Sequence, residues 1–128
     1  ALVMHGEYYA ALMSETEDEK EAVGLEAKAK SRFKLAMNDP DRNIQYEANR
    51  SYGQMLVRQK EYPKALASIE KALELKPSDD LKRFSRQVGR AAKREQQRRE
   101  REEAEAEKLK SELEESEKNL KAEEATSE

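Results

Sequence analysis

The chain has 128 residues, 36% hydrophobic and 41% charged, with a formal net charge of -3, one histidine and no cysteine. A typical folded domain spends about 25% of its residues on charge, so the surplus predicts a modest core and a long solvated segment. The composition excludes disulfides and thiolate metal sites, leaves His5 without the partners of a metal site or triad, and holds no apolar run near the roughly 20 residues of a membrane span.

Leu2, Tyr9 and Leu12–Met13, with Gly6 and Ala10 beside them, give helical periodicity from Ala1 to about Met13. Ser14–Glu19 is polar and acidic and reads as a loop or an acidic first turn. Val23, Leu25, Ala29, Phe33, Ala36 and Met37 form the stripe of a second helix, about Lys20 to Met37, which Pro40 closes. A third helix, about Asn43 to Gln59, uses Ile44, Tyr46, Ala48, Tyr52, Met55 and Leu56. A fourth starts near Pro63 with Ala65, Leu66, Ile69, Ala72 and Leu73 inward, and ends before Pro77. The short link between them predicts an antiparallel hairpin. Ser78–Asp79–Asp80 is a helix start, and Leu81, Phe84, Val88, Ala91 and Ala92 continue a stripe that then stops. From Lys93 to about Leu120 there is neither proline nor glycine, so the helix is expected to run on in solvent, and from Asp79 to about Leu120 it would span roughly 60 Å at 1.5 Å per residue. Ala1 opens inside an apolar pattern, which fits a processed chain or a fragment and leaves the localisation unknown.

Tyr52–Gly53, Leu56, Tyr62, Ala65, Ile69, Ala72 and Pro77 stand at the spacing of a tetratricopeptide repeat, and the segment Asn49 to Pro77 resembles that family. The packing reason is that Gly53 and Ala65 let two backbones approach, Tyr62 wedges the turn and Ala72 admits the next hairpin. Leu2, His5, Gly6 and Tyr9 match the first-helix spacing of another repeat, and Ala29, Phe33 and Ala36 its second helix. Between these lie about ten residues more than the roughly 34-residue period holds. The excess predicts an enlarged segment between the helices, Ser14 to about Lys20. Leu81, Phe84, Ser85 and Val88 resemble a solvating cap helix. The resemblance covers residues 1–92.

It implies an all-α helical repeat. Residues 1–77 would form two hairpins, 78–92 a capping helix, 93–121 an extended charged helix or coiled coil, and 122–128 a disordered tail. His5 is expected at a partly buried or interfacial packing position. The first helices would line a groove through Val3, Glu7, Ala10, Glu47, Arg50, Ser51, Gln54 and Arg58, followed by Lys82, Arg83 and Arg86. As a binding surface this groove suits an extended or helical peptide of acidic character; it also reads as an ordinary solvated face. The carboxylate clamp of co-chaperones in the family needs lysines and asparagines, where this chain has Val3, Glu7, Ser51 and Asp79, with only Arg83 compatible in charge.

The basic run of Arg90, Lys93, Arg94, Arg98, Arg99 and Arg101, preceded by Lys82, Arg83 and Arg86, could lie along phosphates, though it has no interleaved aromatic for base stacking. The reading as a solvated single helix with Arg98–Glu102, Arg99–Glu103 and Arg101–Glu105 pairs, each worth at most about 0.2–0.5 kcal/mol, is favoured, because the downstream acidic residues partly neutralise the field. Ala106, Leu109, Leu113, Ser116 and Leu120 trace about two heptads, a stripe for a partner helix. No glycine-rich phosphate loop or nucleophile elbow occurs, so no catalytic residue, cofactor or small-molecule substrate is expected. The expectation is an adaptor or structural subunit that binds other proteins within a multi-subunit assembly. RNA contact through residues 82–101 is the alternative, and a chaperone-type adaptor a third. The apolar opening of the chain is expected to leave Leu2, Tyr9 and Met13 exposed until a partner covers them.

Overall fold

The structure, a computed structural model, describes residues 1–126. Among them all regular structure is helical: α1 (Leu2–Glu15), α2 (Glu19–Met37), α3 (Arg42–Arg58), α4 (Tyr62–Leu75) and α5 (Asp79–Thr126). The chain is therefore all-α. It divides into two units, residues 1–92 and the remainder from Lys93. No described helix is long and apolar enough to cross a membrane.

The helix ends follow from local chemistry. Asp18 caps α2, its carboxylate accepting the amides of Lys20 at 2.9 Å and Glu21 at 3.4 Å. Asp41 does the same for α3 through the Asn43 amide at 2.8 Å. Ser78 receives the Leu81 amide at the start of α5. Each satisfies a donor that a helix N-terminus leaves without a partner. α3 ends in a Schellman motif: the Glu61 amide donates to the Leu56 carbonyl and the Lys60 amide to the Val57 carbonyl. Lys60 occupies the left-handed position, φ 60°, that glycine usually fills.

Of the two readings of Ser14–Glu19, the acidic first turn of the next helix is what forms, and the enlarged segment expected from Ser14 to about Lys20 is absent. α1 continues to Glu15 and α2 begins at Glu19, so only Thr16–Asp18 connect them. The additional residues lengthen the helices, α2 having 19 residues against 14 in α4. Acidic residues early in a capped helix favour its dipole, and so they joined the helix.

Within residues 1–92, α1 packs on α2, α3 on α4, and both α1 and α2 meet α3. The two hairpins close in the same way. A Cβ on Gly6 would lie 2.6 Å from the ring of Phe33, and one on Gly53 would lie 2.9 Å from Ile69 Cγ1. Each glycine lets the facing helix bring a large side chain against bare backbone. Ala29, Phe33 and Ala36 are fully buried, and Ala65, Ile69 and Ala72 repeat them at the same internal spacing, also fully buried. Phe33 joins the hairpins by meeting Tyr52 edge-on, ring centroids 5.9 Å apart. Leu81 and Val88 extend the core into α5, with Phe84 packed against it.

This closure fixes the register of α1 and corrects several expectations. Gly6 and Ala10 point inward, so residues two positions away, rotated by about 200°, point outward. Met4 and Tyr8 are accordingly the exposed residues, at 71% and 60%. Leu2 is half-buried, and Tyr9 and Met13 pack against the core. His5 is exposed and so is not partly buried within the chain. Val23 leaves the apolar stripe of α2 and is exposed, because Ala29, Phe33 and Ala36 set its inward face.

In the second unit every described side chain from Gln96 to Thr126 is exposed. The disordered tail expected from residue 122 is instead helical as far as Thr126, since Ala122, Glu123, Glu124 and Ala125 are helix formers without a breaker. Ser127 and Glu128 lie outside the described residues.

Candidate protein-binding surface

Three cavities border α1, α3 and the start of α5, and they share walls. The largest, about 570 Å³, is lined by Ala1, Leu2, Val3, Met4 and Glu7 of the α1 end, by Asp39, and by Asn43, Ile44 and Glu47 of α3. A second, about 240 Å³, lies between Glu7, Ala10, Ala11 and Phe33 on one side and Ser51, Gln54, Met55 and Arg58 on the other. A third, about 150 Å³, is enclosed by Arg50, Gln54, Ser78, Asp80, Leu81 and Phe84. Glu7 belongs to the first two and Gln54 to the last two.

Most residues singled out for the groove fall on these walls. Val3, Glu7 and Glu47 line the first cavity, Ala10, Ser51 and Arg58 the second, Arg50 the third, and Gln54 separates two of them. Ser51 differs from its expected part as an open contact: it is 8% exposed and its hydroxyl donates to Glu7 Oε1 at 2.7 Å. That bond ties α3 to α1 across the surface. Arg50, Glu47 and Arg58 are exposed, and no ion pair among the described residues engages them.

The α5 contribution differs from expectation. Lys82, Arg83 and Arg86 are exposed, whereas the cavity wall uses Ser78, Asp80, Leu81 and Phe84. Leu81 and Val88 turn inward and so rotate the lysine and arginines off that wall; Arg83 pairs with Asp80 at 2.6 Å instead. Sequence reasoning also left out Leu2, Met4, Asp39, Asn43 and Ile44 as lining residues. Met4 was the available signal, an apolar residue off the inward face of its helix.

Charge is unevenly placed. The side chains with charge on the largest cavity are Glu7, Asp39 and Glu47, and no lysine, arginine or histidine lines it. The second cavity opposes Glu7 to Arg58, and the third Arg50 to Asp80. The walls thus mix acidic with basic side chains, in place of the mixed basic and polar groove expected for an acidic peptide. Beneath them, burial pushes the Tyr52 phenol above its ordinary pKa, with the charge of Glu61 adding to it.

Along α5, Arg90, Lys93, Arg94 and Arg101 are exposed. Arg98 lies between Glu95 and Glu102, each at 2.6 Å, and its hydrogen bond to Glu95 foremost holds the guanidinium charged. Arg99 pairs back to Glu95 at 3.6 Å and not forward to Glu103, and no Arg101–Glu105 pair forms among the described residues. Exposed pairs of this kind contribute little to stability. Leu109, Leu113 and Leu120 are 58%, 58% and 57% exposed. No group of three or more metal-ligating side chains assembles among the described residues. No protein-family model, no curated protein and no solved structure matches the chain.

Proposed function

We propose that this chain is a non-catalytic protein-binding module, an adaptor or structural subunit of a larger assembly, built on tetratricopeptide-like hairpins. The observation that carries the reading is the run of three wall-sharing cavities along α1, α3 and α5. Glu47, Arg50 and Arg58 stand at their edges, outside any ion pair among the described residues. Concave surfaces with a few placed charges, apolar at the largest cavity and mixed at the other two, suit peptide segments of partner proteins. The repeated small-residue closures, Gly6 on Phe33 and Gly53 on Ile69, support the repeat character. The long charged part of α5, with its exposed leucine stripe, is a second surface for a partner helix.

A photoreactive amino acid at Arg58 tests the reading. In cells it should crosslink a discrete protein partner, while the same group at Lys71 on α4, exposed and off these walls, should not. Equal capture from both positions would refute binding at the cavities.

RNA contact through residues 82–101 is the second reading, favoured by exposed Arg90, Lys93, Arg94 and Arg101 outside any ion pair among the described residues. Phosphate binding must weaken steeply with salt, so a salt titration against single-stranded RNA separates it from packing against protein. A chaperone-type clamp is the weaker third reading, because Glu7 would repel a terminal carboxylate and Ser51 is already bonded to it.

A further inference from the structure

The largest cavity differs from the other two in that its charged side chains have one sign. Leu2, Val3, Met4 and Ile44 give it an apolar wall, and Glu7, Asp39 and Glu47 supply three carboxylates. Glu47 is exposed and engages in no ion pair among the described residues. Asp39 already accepts the Asp41 amide at 2.9 Å, and Ser51 donates to one oxygen of Glu7. Met4 remains 71% exposed beside them. A volume of about 570 Å³ takes more than one side chain. An occupant must therefore offer neighbouring apolar anchors, and it must carry positive charge where it passes the carboxylates, since like charges brought together there would be penalised.

We infer that this cavity binds a partner segment with two neighbouring apolar residues flanked by lysine or arginine. The inference rests on the protein-binding reading and deepens it by fixing the chemistry of the ligand at one end of the surface. It also gives the surface a direction. The carboxylate end receives the basic part of the partner, and Arg50 and Arg58 stand over the adjoining cavities for whatever follows.

Fluorescence anisotropy with the full chain and three labelled peptides tests it: one with two neighbouring leucines and lysine flanks, one with the same leucines and glutamate flanks, and one with lysines and no leucine. The leucine–lysine peptide should bind at least about tenfold more tightly than either other. Glu47→Lys should lower that affinity by about tenfold and narrow the gap to the glutamate peptide. Met4→Ser should weaken it without changing its salt dependence. Both positions are exposed, so neither change threatens folding. Preference for the glutamate peptide, indifference to Glu47→Lys, or equal binding of the leucine-free peptide overturns the inference. If it is overturned while crosslinking at Arg58 still captures a partner, only the ligand chemistry fails; if Arg58 captures nothing, the binding reading fails with it.

Discussion

Replacing Gly6 by alanine inserts a methyl group at the crossing that closes the first hairpin. A Cβ there meets three atoms of the Phe33 ring at 2.6, 2.7 and 2.9 Å, far inside the roughly 3.5–4.0 Å of a comfortable carbon contact. Phe33 is fully buried and packed edge to face with Tyr52, so the ring can retreat only toward the cavity of about 240 Å³ that it lines, giving up that contact. Overpacking costs about 1–3 kcal/mol, and three overlapping ring atoms place this case near the upper end. Alanine returns about 1 kcal/mol of helix propensity. The balance is a loss of about 2 kcal/mol, or roughly 8–16 °C in Tm for a domain of this size. Gly24 is the control: a Cβ added there would meet nothing within 4 Å, so Gly24→Ala should raise stability by about 0.5–1 kcal/mol. Thermal and urea unfolding followed by circular dichroism and tyrosine fluorescence would compare them. Phe33→Leu in the Gly6→Ala background should recover part of the loss, read as a coupling energy in a double-mutant cycle. A Gly6→Ala protein as stable as Gly24→Ala would refute the close crossing and the register built on it.

Lys60→Gly should stabilise the chain by about 1 kcal/mol in urea unfolding, because it relieves a side chain from the left-handed position while keeping the Schellman bonds. Deleting residues 102–128 should leave the thermal midpoint of the remainder almost unchanged, since every described side chain it removes is exposed; a large fall would refute this. Tyr52 is neutral below its pKa, and the folded state raises that pKa, so its contribution is complete below the unfolded value of about 10 and drains away as pH climbs through the folded one. Urea unfolding across that alkaline range should therefore find Tyr52→Phe less sensitive to pH than the parent, and parallel curves would count against the buried phenol.

The sequence by itself determined the five helices and most of their starts and stops. Asp41, Ser78, Pro40, Pro63 and Pro77 act through bonds and clashes within a few residues, and local rules decide them. The stripe Ala65–Ile69–Ala72 also marked its inward face, because one bare alternation of small and large residues allows little else. The outer half of α2 was misread for the opposite reason. Val23 continues an apolar spacing, but nothing faces it, and burial is a property of two surfaces and not of one.

Tertiary structure alone decided the candidate surface. Glu7 and Ser51 are 44 positions apart, and no pattern in either helix announces their bond. Asp39 and Met4 reach the same cavity wall only because α1 and α3 lie side by side. The rotation of α5 was set by Leu81 and Val88 entering the core, which put Asp80 and Phe84 on the wall and left Lys82, Arg83 and Arg86 off it. Helical periodicity fixes which residues share a face, within about one residue of rotation. Which way that face turns is set by the close contact at Gly6 with Phe33 and at Gly53 with Ile69, where a few tenths of an ångström between packed atoms choose the angle.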